Sequence, residues 1–141
     1  MSTLRELVKD RKLYFVEATR TVLEAARYMM EHNVGALPVM RNGELAGIIS
    51  ERDIVQRLSE LHTDLLGEAV ASIMSTSVHV CSPVDDVERI MNLMTEQRIR
   101  HVPVVEGAFL CGIISIGDVV KSRIGELEKD RDELMDYITA R

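Results

Sequence analysis

The chain contains the string Gly-Ile-Ile-Ser-x-x-Asp twice, at residues 47–53 and 112–118. In each string a serine follows an apolar run, and an aspartate lies three residues beyond it. The serine can cap a helix and the aspartate can complement the helix dipole. The same arrangement can bind a ligand, because a helix N-terminus attracts phosphate and a carboxylate can accept two hydrogen bonds from a ribose diol. The recurrence of the string favours ligand binding over capping alone.

Cationic side chains accompany the two strings unequally. Arg52 lies inside the first string, and the second string has no counterpart. The second copy instead has three cationic groups just before a strand: Arg98, Arg100 and His101. The first copy has Gly35 and Ala36 where the second has Arg100 and His101. Gly35 can end a helix in the left-handed conformation or let the backbone approach a ligand, and the arginines can be ordinary loop charges. The differences predict two unequal sites.

An internal repeat positions these residues. A shift of 65 residues aligns residues 16–58 with residues 81–123 without a gap. Each copy is predicted to form a short strand, a helix with one apolar stripe, two strands joined by a tight turn, and a second helix. Such a unit cannot bury enough apolar surface alone. We therefore predict an α+β fold of two β-α-β-β-α repeats, packed sheet to sheet with pseudo-two-fold symmetry, plus terminal helices.

The pattern also predicts where elements begin and end. The predicted strands are residues 13–16, 36–40 and 45–50 in the first copy, and 78–81, 101–105 and 110–115 in the second. Thr21 and Asp86 are expected to be caps or first-turn groups of the first helix of each copy, and Thr3 with Glu6 suggests a capping box near the N-terminus. The connection is predicted to be helical around residues 65–74.

The repeat also sets the domain boundaries that the sequence predicts. The domains are residues 1–64 (first repeat with an N-terminal helix), 65–125 (second repeat) and 126–141 (C-terminal amphipathic helix). In the last helix Ile124, Leu127, Leu134 and Ile138 recur on one face. That stripe can dock on the core or contact a second chain.

Composition excludes several classes of protein. The net charge is −6 and the isoelectric point is about 5.2, so a general nucleic-acid binder is not expected. Cys81 and Cys111 do not suggest a disulfide framework. No signal peptide is visible in the sequence, and no apolar run approaches the roughly 20 residues of a spanning helix. We expect a cytoplasmic protein without a membrane partner.

Metal binding and catalysis are weaker interpretations. The candidate metal ligands show no CxxC, HxxxH or HExxH spacing; they are His32, His62, His79, His101, Cys81 and Cys111. No nucleophile elbow, P-loop or triad context appears, and the Asp85-Asp86 pair is typical of a helix start. We therefore expect no catalytic residues, no metal and no required cofactor. The strongest rival is a structural module that binds a partner and leaves its clefts empty.

The motifs resemble those of the cystathionine β-synthase (CBS) domain family, here as a tandem pair standing alone. The resemblance covers about residues 5–125 and rests on four strings, at residues 34–39, 47–53, 99–104 and 112–118. It implies a regulatory module with clefts between the copies, which bind AMP, ADP, ATP, NAD or S-adenosylmethionine. It also implies a homodimer.

The resemblance assigns roles residue by residue. It implies that Asp53 and Asp118 bind ribose, with Ser50 and Ser115 near ribose or phosphate. Arg52 would contact phosphate in one cleft, and Arg100 with His101 in the other; Gly35 and Ala36 are their uncharged counterparts. Adenine would be held by the first-strand turn of the opposite copy. That turn comprises Val16, Thr19 and Arg20 for the Asp118 cleft, and Val80, Ser82 and Pro83 for the Asp53 cleft.

Overall fold

The computed structural model describes residues 2–60 and 64–140. They form five helices: α1 (Leu4–Val8), α2 (Val22–His32), α3 (Glu51–Glu60), α4 (Val87–Gln97) and α5 (Ile116–Thr139). They also form five strands: β1 (Val16–Glu17), β2 (Ala36–Arg41), β3 (Glu44–Ser50), β4 (His101–Glu106) and β5 (Phe109–Ser115). The predicted α+β repeat is confirmed.

Each copy is built around an antiparallel hairpin. β2 pairs with β3 so that Ala36 lies opposite Ser50, and β4 pairs with β5 so that His101 lies opposite Ser115. The first hairpin turns at Asn42 and Gly43, both with positive φ, as the Asn-Gly pair predicts. The register therefore places the serine of each repeated string beside the first residue of the neighbouring strand.

The first strand of each copy is shorter than predicted. β1 pairs in parallel with β2 only at Val16 and Glu17, so the predicted strand at residues 13–16 is wrong in extent. The predicted strand at residues 78–81 is a single bridge between Cys81 and Val104. The chain before β1 leaves the sheet, and Tyr14 lines a cleft between the copies instead.

The segments that precede the two copies are exchanged. α1 precedes the first copy, but its buried Leu4 and Val8 belong to the core of the second copy. The 3-10 turns Leu65–Gly67 and Val70–Ser72 precede the second copy, but Leu65 and Val70 belong to the core of the first. Each core is therefore closed by the segment that leads into the other copy. The domain boundary between residues 64 and 65 remains a prediction that this exchange complicates.

Helix caps fix the ends of the first helix in each copy. Thr21 forms a capping box with Glu24, and Asp86 accepts a 2.7 Å hydrogen bond from the Arg89 N–H, as predicted. The predicted capping box at Thr3 is wrong, because no side-chain cap forms there. The Thr3 backbone instead bridges to Asp86, which ties α1 to the second copy.

α5 is longer than one repeat requires. It runs unbroken from Ile116 to Thr139, across the predicted boundary at residues 125 and 126, because no proline interrupts it. Gly125 is tolerated within the helix. In the part of the chain that the structure describes, no helix is long and apolar enough to cross a membrane.

Candidate functional site

The largest relevant cavity lies between the two copies, at the N-terminus of α3. Its volume is about 750 Å³. Residues of the first repeated string line one side, and residues just before β4 line the other. The cavity-lining residues that matter here are Gly35, Ser50, Arg52, Asp53, Arg98, Arg100 and His101. We call this space the Asp53 cavity.

Asp53 is held in place by the helix cap and keeps one oxygen available. Its Oδ2 accepts hydrogen bonds from the Ser50 N–H (2.8 Å) and hydroxyl (3.0 Å). The Asp53 N–H in turn donates to Ser50 Oγ at 3.2 Å. Among the described residues, Asp53 Oδ1 has no hydrogen-bond partner. The capping interpretation and the ligand-binding interpretation are therefore compatible, because capping uses only one of the two carboxylate oxygens.

The cations of the second copy lie in the Asp53 cavity. The sequence analysis assigned Arg52 to one cleft and Arg100 with His101 to the other, but all three line this one cavity. The reason is that the start of β4 meets the start of β2: a Cβ on Gly35 would lie 3.6 Å from His101 Nε2. Each copy thus supplies a helix N-terminus with its aspartate to one cleft. It supplies the start of a strand to the cleft that contains the aspartate of the other copy. The contacts of Arg52, Arg100 and His101 with phosphate stay a prediction.

His101 is half-buried between charged groups. Burial lowers the pKa of its imidazole, while Asp118 and Glu51 act to raise it and Arg100 acts to lower it. Because Asp118 and Glu51 belong to the two different helix ends, His101 lies near both clefts. Arg98, which was singled out with it, adopts a left-handed conformation (φ 55°) at the end of α4. Arg98 is exposed beside the cavity.

The second cleft is smaller and differently lined. Its volume is about 270 Å³, and its walls include Tyr14, Ala36 and Cys111. Asp118 lies at the adjoining N-terminus of α5, where Ser115 and Asp118 form a capping box like that of the first copy. We call this space, with Asp118, the Asp118 cleft. Ala36, named in the sequence with the first copy's site, lines this cleft and not the Asp53 cavity.

Arg11, which the sequence analysis did not identify, forms an ion pair with the Asp118 carboxylate. Arg11 Nη1 donates to Asp118 Oδ2 at 2.9 Å, and Arg11 Nη2 donates to Asp118 Oδ1 at 2.8 Å. Burial raises the pKa of Asp118, but hydrogen bonds from Arg11 and Ser115 outweigh it and lower that pKa overall. Arg11 lies outside the repeat, and its single charge gave no pattern that would have identified it.

The first-strand turns do not reach either cleft. Val16 and Arg20 line a separate groove with Tyr28, and Val80 lines a groove along the outer face of α4. Thr19, Ser82 and Pro83 are absent from the residues that line the Asp53 cavity and the Asp118 cleft. The reason is topological: β1 pairs with the edge of β2 that is away from β3, whereas Ser50 ends β3. The predicted adenine contacts from these turns therefore stay a prediction.

The cysteines and histidines form no metal centre in the described residues. No group of three or more His, Cys, Asp or Glu side chains there is placed to hold a metal. His62 lies outside the described residues. Burial, with a contribution from Asp85, raises the pKa of the Cys81 thiol to about 12. Cys81 is therefore a core residue, while Cys111 is half-buried at the Asp118 cleft.

The chain is similar in sequence to proteins of one family. The family model for the CBS domain matches residues 4–60 and 70–125. The chain is 39% identical over 123 residues to the mitochondrial CBS domain-containing protein CBSX3 of Arabidopsis thaliana, covering 84% of this chain. It spans only 60% of that relative's length. The matched family is regulatory, and no catalytic family is indicated.

Solved structures agree with the fold. The crystal structure of a CBS-domain-containing protein from Agrobacterium tumefaciens superposes with a TM-score of 0.80 at 36% identity, covering 86% of this chain and 99% of that one. The CBS domain pair of the protein MJ0100, in complex with 5-methylthioadenosine and S-adenosyl-L-methionine, superposes with a TM-score of 0.79 at 23% identity. That match covers 89% of this chain and 98% of the other.

Proposed function

The chain belongs to the CBS domain family, and on that premise we propose that it is a non-catalytic sensor of an adenine nucleotide. AMP, ADP, ATP or NAD would bind in the Asp53 cavity. One observation carries the proposal: a carboxylate with one oxygen available faces a cationic strand start of the other copy across a space of about 750 Å³. Ligand sites have volumes of about 300–1,000 Å³, so the space suits a nucleotide.

The cavity walls divide into two chemical regions. On the α3 side, Asp53 Oδ1 would accept hydrogen bonds from the ribose diol, while Ser50 keeps the carboxylate oriented. On the opposite side, Arg100 and His101 would contact the phosphates, with Arg98 and Arg52 adding positive charge at the rim. Arginine is suited to this role because its planar guanidinium can bind phosphate through two parallel hydrogen bonds.

A bound nucleotide would bridge the two copies. The diol-binding group belongs to the first copy and the phosphate-binding groups belong to the second, so one ligand would contact both halves. A ligand can shift a conformational equilibrium only by binding one state better than the other. A ligand that spans the junction meets this requirement, because any change in the relative position of the halves alters its contacts. The CBS domain pair of MJ0100 is a related fold solved with adenosine ligands.

We extend the proposal to a cytoplasmic homodimer. Val55 on α3 and Val120 on α5 occupy the same position in the repeat and are 64% and 45% exposed. Ile124 and Leu127, one and two turns further along α5, are 50% and 53% exposed. Static light scattering should give twice the chain mass for the unmodified protein. It should give a monomer for Ile124→Glu, whose charge would be buried in the interface.

Calorimetric titration with AMP, ATP and NAD tests the nucleotide site. Asp53→Ala is expected to weaken binding roughly 100-fold, because two hydrogen bonds to a charged acceptor are lost. Asp118→Ala is the matched control, since it removes an equivalent helix cap but leaves the Asp53 cavity intact. Equal affinities for both variants would contradict the site assignment. Absence of binding by the unmodified protein would favour the structural module with empty clefts.

A further inference from the structure

Arg11 occupies the position at Asp118 where a ligand's hydrogen-bond donors would lie. Its guanidinium donates to both carboxylate oxygens, at 2.9 and 2.8 Å. A ribose diol would have to donate to the same atoms. Asp53 has no such partner among the described residues, although its helix cap is the same. The two clefts therefore differ in whether their acidic group is already bound within the chain.

The fold holds Arg11 beside Asp118. α1 is fixed on the second copy by the buried side chains of Leu4 and Val8. The Leu4 N–H also donates to the Asp85 carbonyl at 3.0 Å, and the Arg11 N–H donates to the Val8 carbonyl at 3.2 Å. Arg11 is thus three residues beyond an anchored helix. The ion pair is formed by a positioned group, with 43% of the Arg11 side chain and 24% of the Asp118 side chain exposed.

Among the described residues, the segment that leads into the second copy places no equivalent cation at Asp53. Val8 packs against Gly112 as Met74 packs against Gly47, so the two leading segments correspond at these residues. Three residues beyond Met74 lies Ser77, which corresponds to Arg11. A serine carries no charge to pair with Asp53. The difference between the clefts therefore arises from residues of the leading segments, outside the repeated strings.

We infer that Arg11 is a built-in competitor that closes the Asp118 cleft to a ribose diol, so that each chain binds one adenine nucleotide, in the Asp53 cavity. The inference rests on the proposed function of that cavity. When a binding group is available for only a fraction of the time, the apparent affinity of its site for the ligand falls in proportion to that fraction. Breaking this partly exposed pair reduces the affinity of the Asp118 cleft by up to about fivefold.

The experiment compares the binding stoichiometry of the unmodified chain and its variants by calorimetry, with AMP and with adenosine as the uncharged probe of the diol site. The unmodified chain should bind one ligand per chain. Arg11→Ala and Arg11→Gln should each bind a second, and a further Asp118→Ala substitution in either variant should remove it. Arg5→Ala is the matched control, because it breaks another ion pair of the same segment, Arg5 with Glu106, away from the cleft.

The outcomes separate the two proposals. One site in the unmodified chain and two in the Arg11 variants would support the competitor role. One site in every protein, or two in the unmodified chain, would overturn that role and leave the Asp53 site standing. Binding to none of the proteins would overturn both. A second site that appears equally in Arg5→Ala would also overturn the role of Arg11, since the effect would then come from loosening α1.

Discussion

The two clefts contain the same repeated string, yet they differ in the groups that face it. Both aspartates accept a 2.8 Å hydrogen bond from the serine three residues before them, so the helix caps are equivalent. The Asp53 cavity is faced by Arg100 and His101, whereas the Asp118 carboxylate is already paired with Arg11. The cap is therefore the same in both copies, while residues flanking the repeated strings decide what each cleft can bind.

The largest expected difference between the two copies concerns their thiols. Burial and Asp85 raise the pKa of Cys81 to about 12 from 9.0. At pH 8 its thiolate is therefore about 1,000-fold scarcer than that of a thiol with the ordinary pKa. Iodoacetamide should therefore alkylate Cys111, at the Asp118 cleft, and spare Cys81, as peptide mass spectrometry would show. Excess AMP should leave the Cys111 rate unchanged, because AMP binds in the other cavity. Protection of Cys111 by AMP would contradict the unequal-cleft model.

The next effect concerns the glycine in each string. A Cβ on Gly47 would lie 2.6 Å from the Ser75 carbonyl oxygen, which accepts a 2.9 Å hydrogen bond from Ile48. A Cβ on Gly112 would lie 3.1 Å from a Val8 methyl group, which can move. Gly47→Ala should cost roughly 2–3 kcal/mol of the free energy of unfolding, and Gly112→Ala about 1 kcal/mol or less. Urea unfolding measures both, and equal losses would show that Ser75 relaxes.

The sequence predicts the elements well because their signals are local. Thr21, Asp86 and the Asn42-Gly43 turn each act within four residues of their partners, so spacing alone identifies them. Ser50 and Asp53 were assigned to one site for the same reason. In the structure both line the Asp53 cavity.

The errors concern contacts between distant parts of the chain. The sequence placed Arg52 and Arg100 in different clefts, but the meeting of the starts of β2 and β4 places both in the Asp53 cavity. Arg11 pairs with a residue 107 positions away, and no local spacing encodes such a contact. The exchange of the leading segments was missed for the same reason. Local patterns specify helices and caps, while the packing of the two copies specifies which side chains share a cleft.

Arg100 provides a smaller effect that tests the phosphate side of the Asp53 cavity. Arg100→Ala should weaken AMP binding by about tenfold, because a charge-assisted hydrogen bond contributes about 1.5 kcal/mol or more. Adenosine binding should change little, since adenosine has no phosphate. Calorimetry with both ligands measures the difference. Arg89→Ala is a suitable control, because Arg89 pairs with Asp85 on the outer face of α4. Equal losses for AMP and adenosine would contradict the assignment.

The smallest effect is the contribution of the Arg11–Asp118 pair to stability. Both side chains are partly exposed, so the pair should stabilise the fold by no more than about 1 kcal/mol at neutral pH. The pKa of Asp118 is lower in the folded chain than its ordinary value of 3.8. The unfolded chain therefore takes up the proton first, and the stabilisation is present above pH 3.8 and is lost as the pH falls through the lower, folded value.

Urea unfolding of the unmodified chain and Arg11→Gln, from pH 7 down to pH 3, measures this contribution. The stability difference between the two proteins should be constant near neutral pH and should shrink only below about pH 4, where Asp118 of the unfolded chain begins to be protonated. Arg5→Gln removes the more exposed pair with Glu106 and should change stability less at every pH. If no difference is found at pH 7, the Arg11–Asp118 ion pair is no more stable than the two groups separately hydrated. In that case Asp118 would be as available to a ligand as Asp53, and the contrast between the clefts would reduce to their size and their cations.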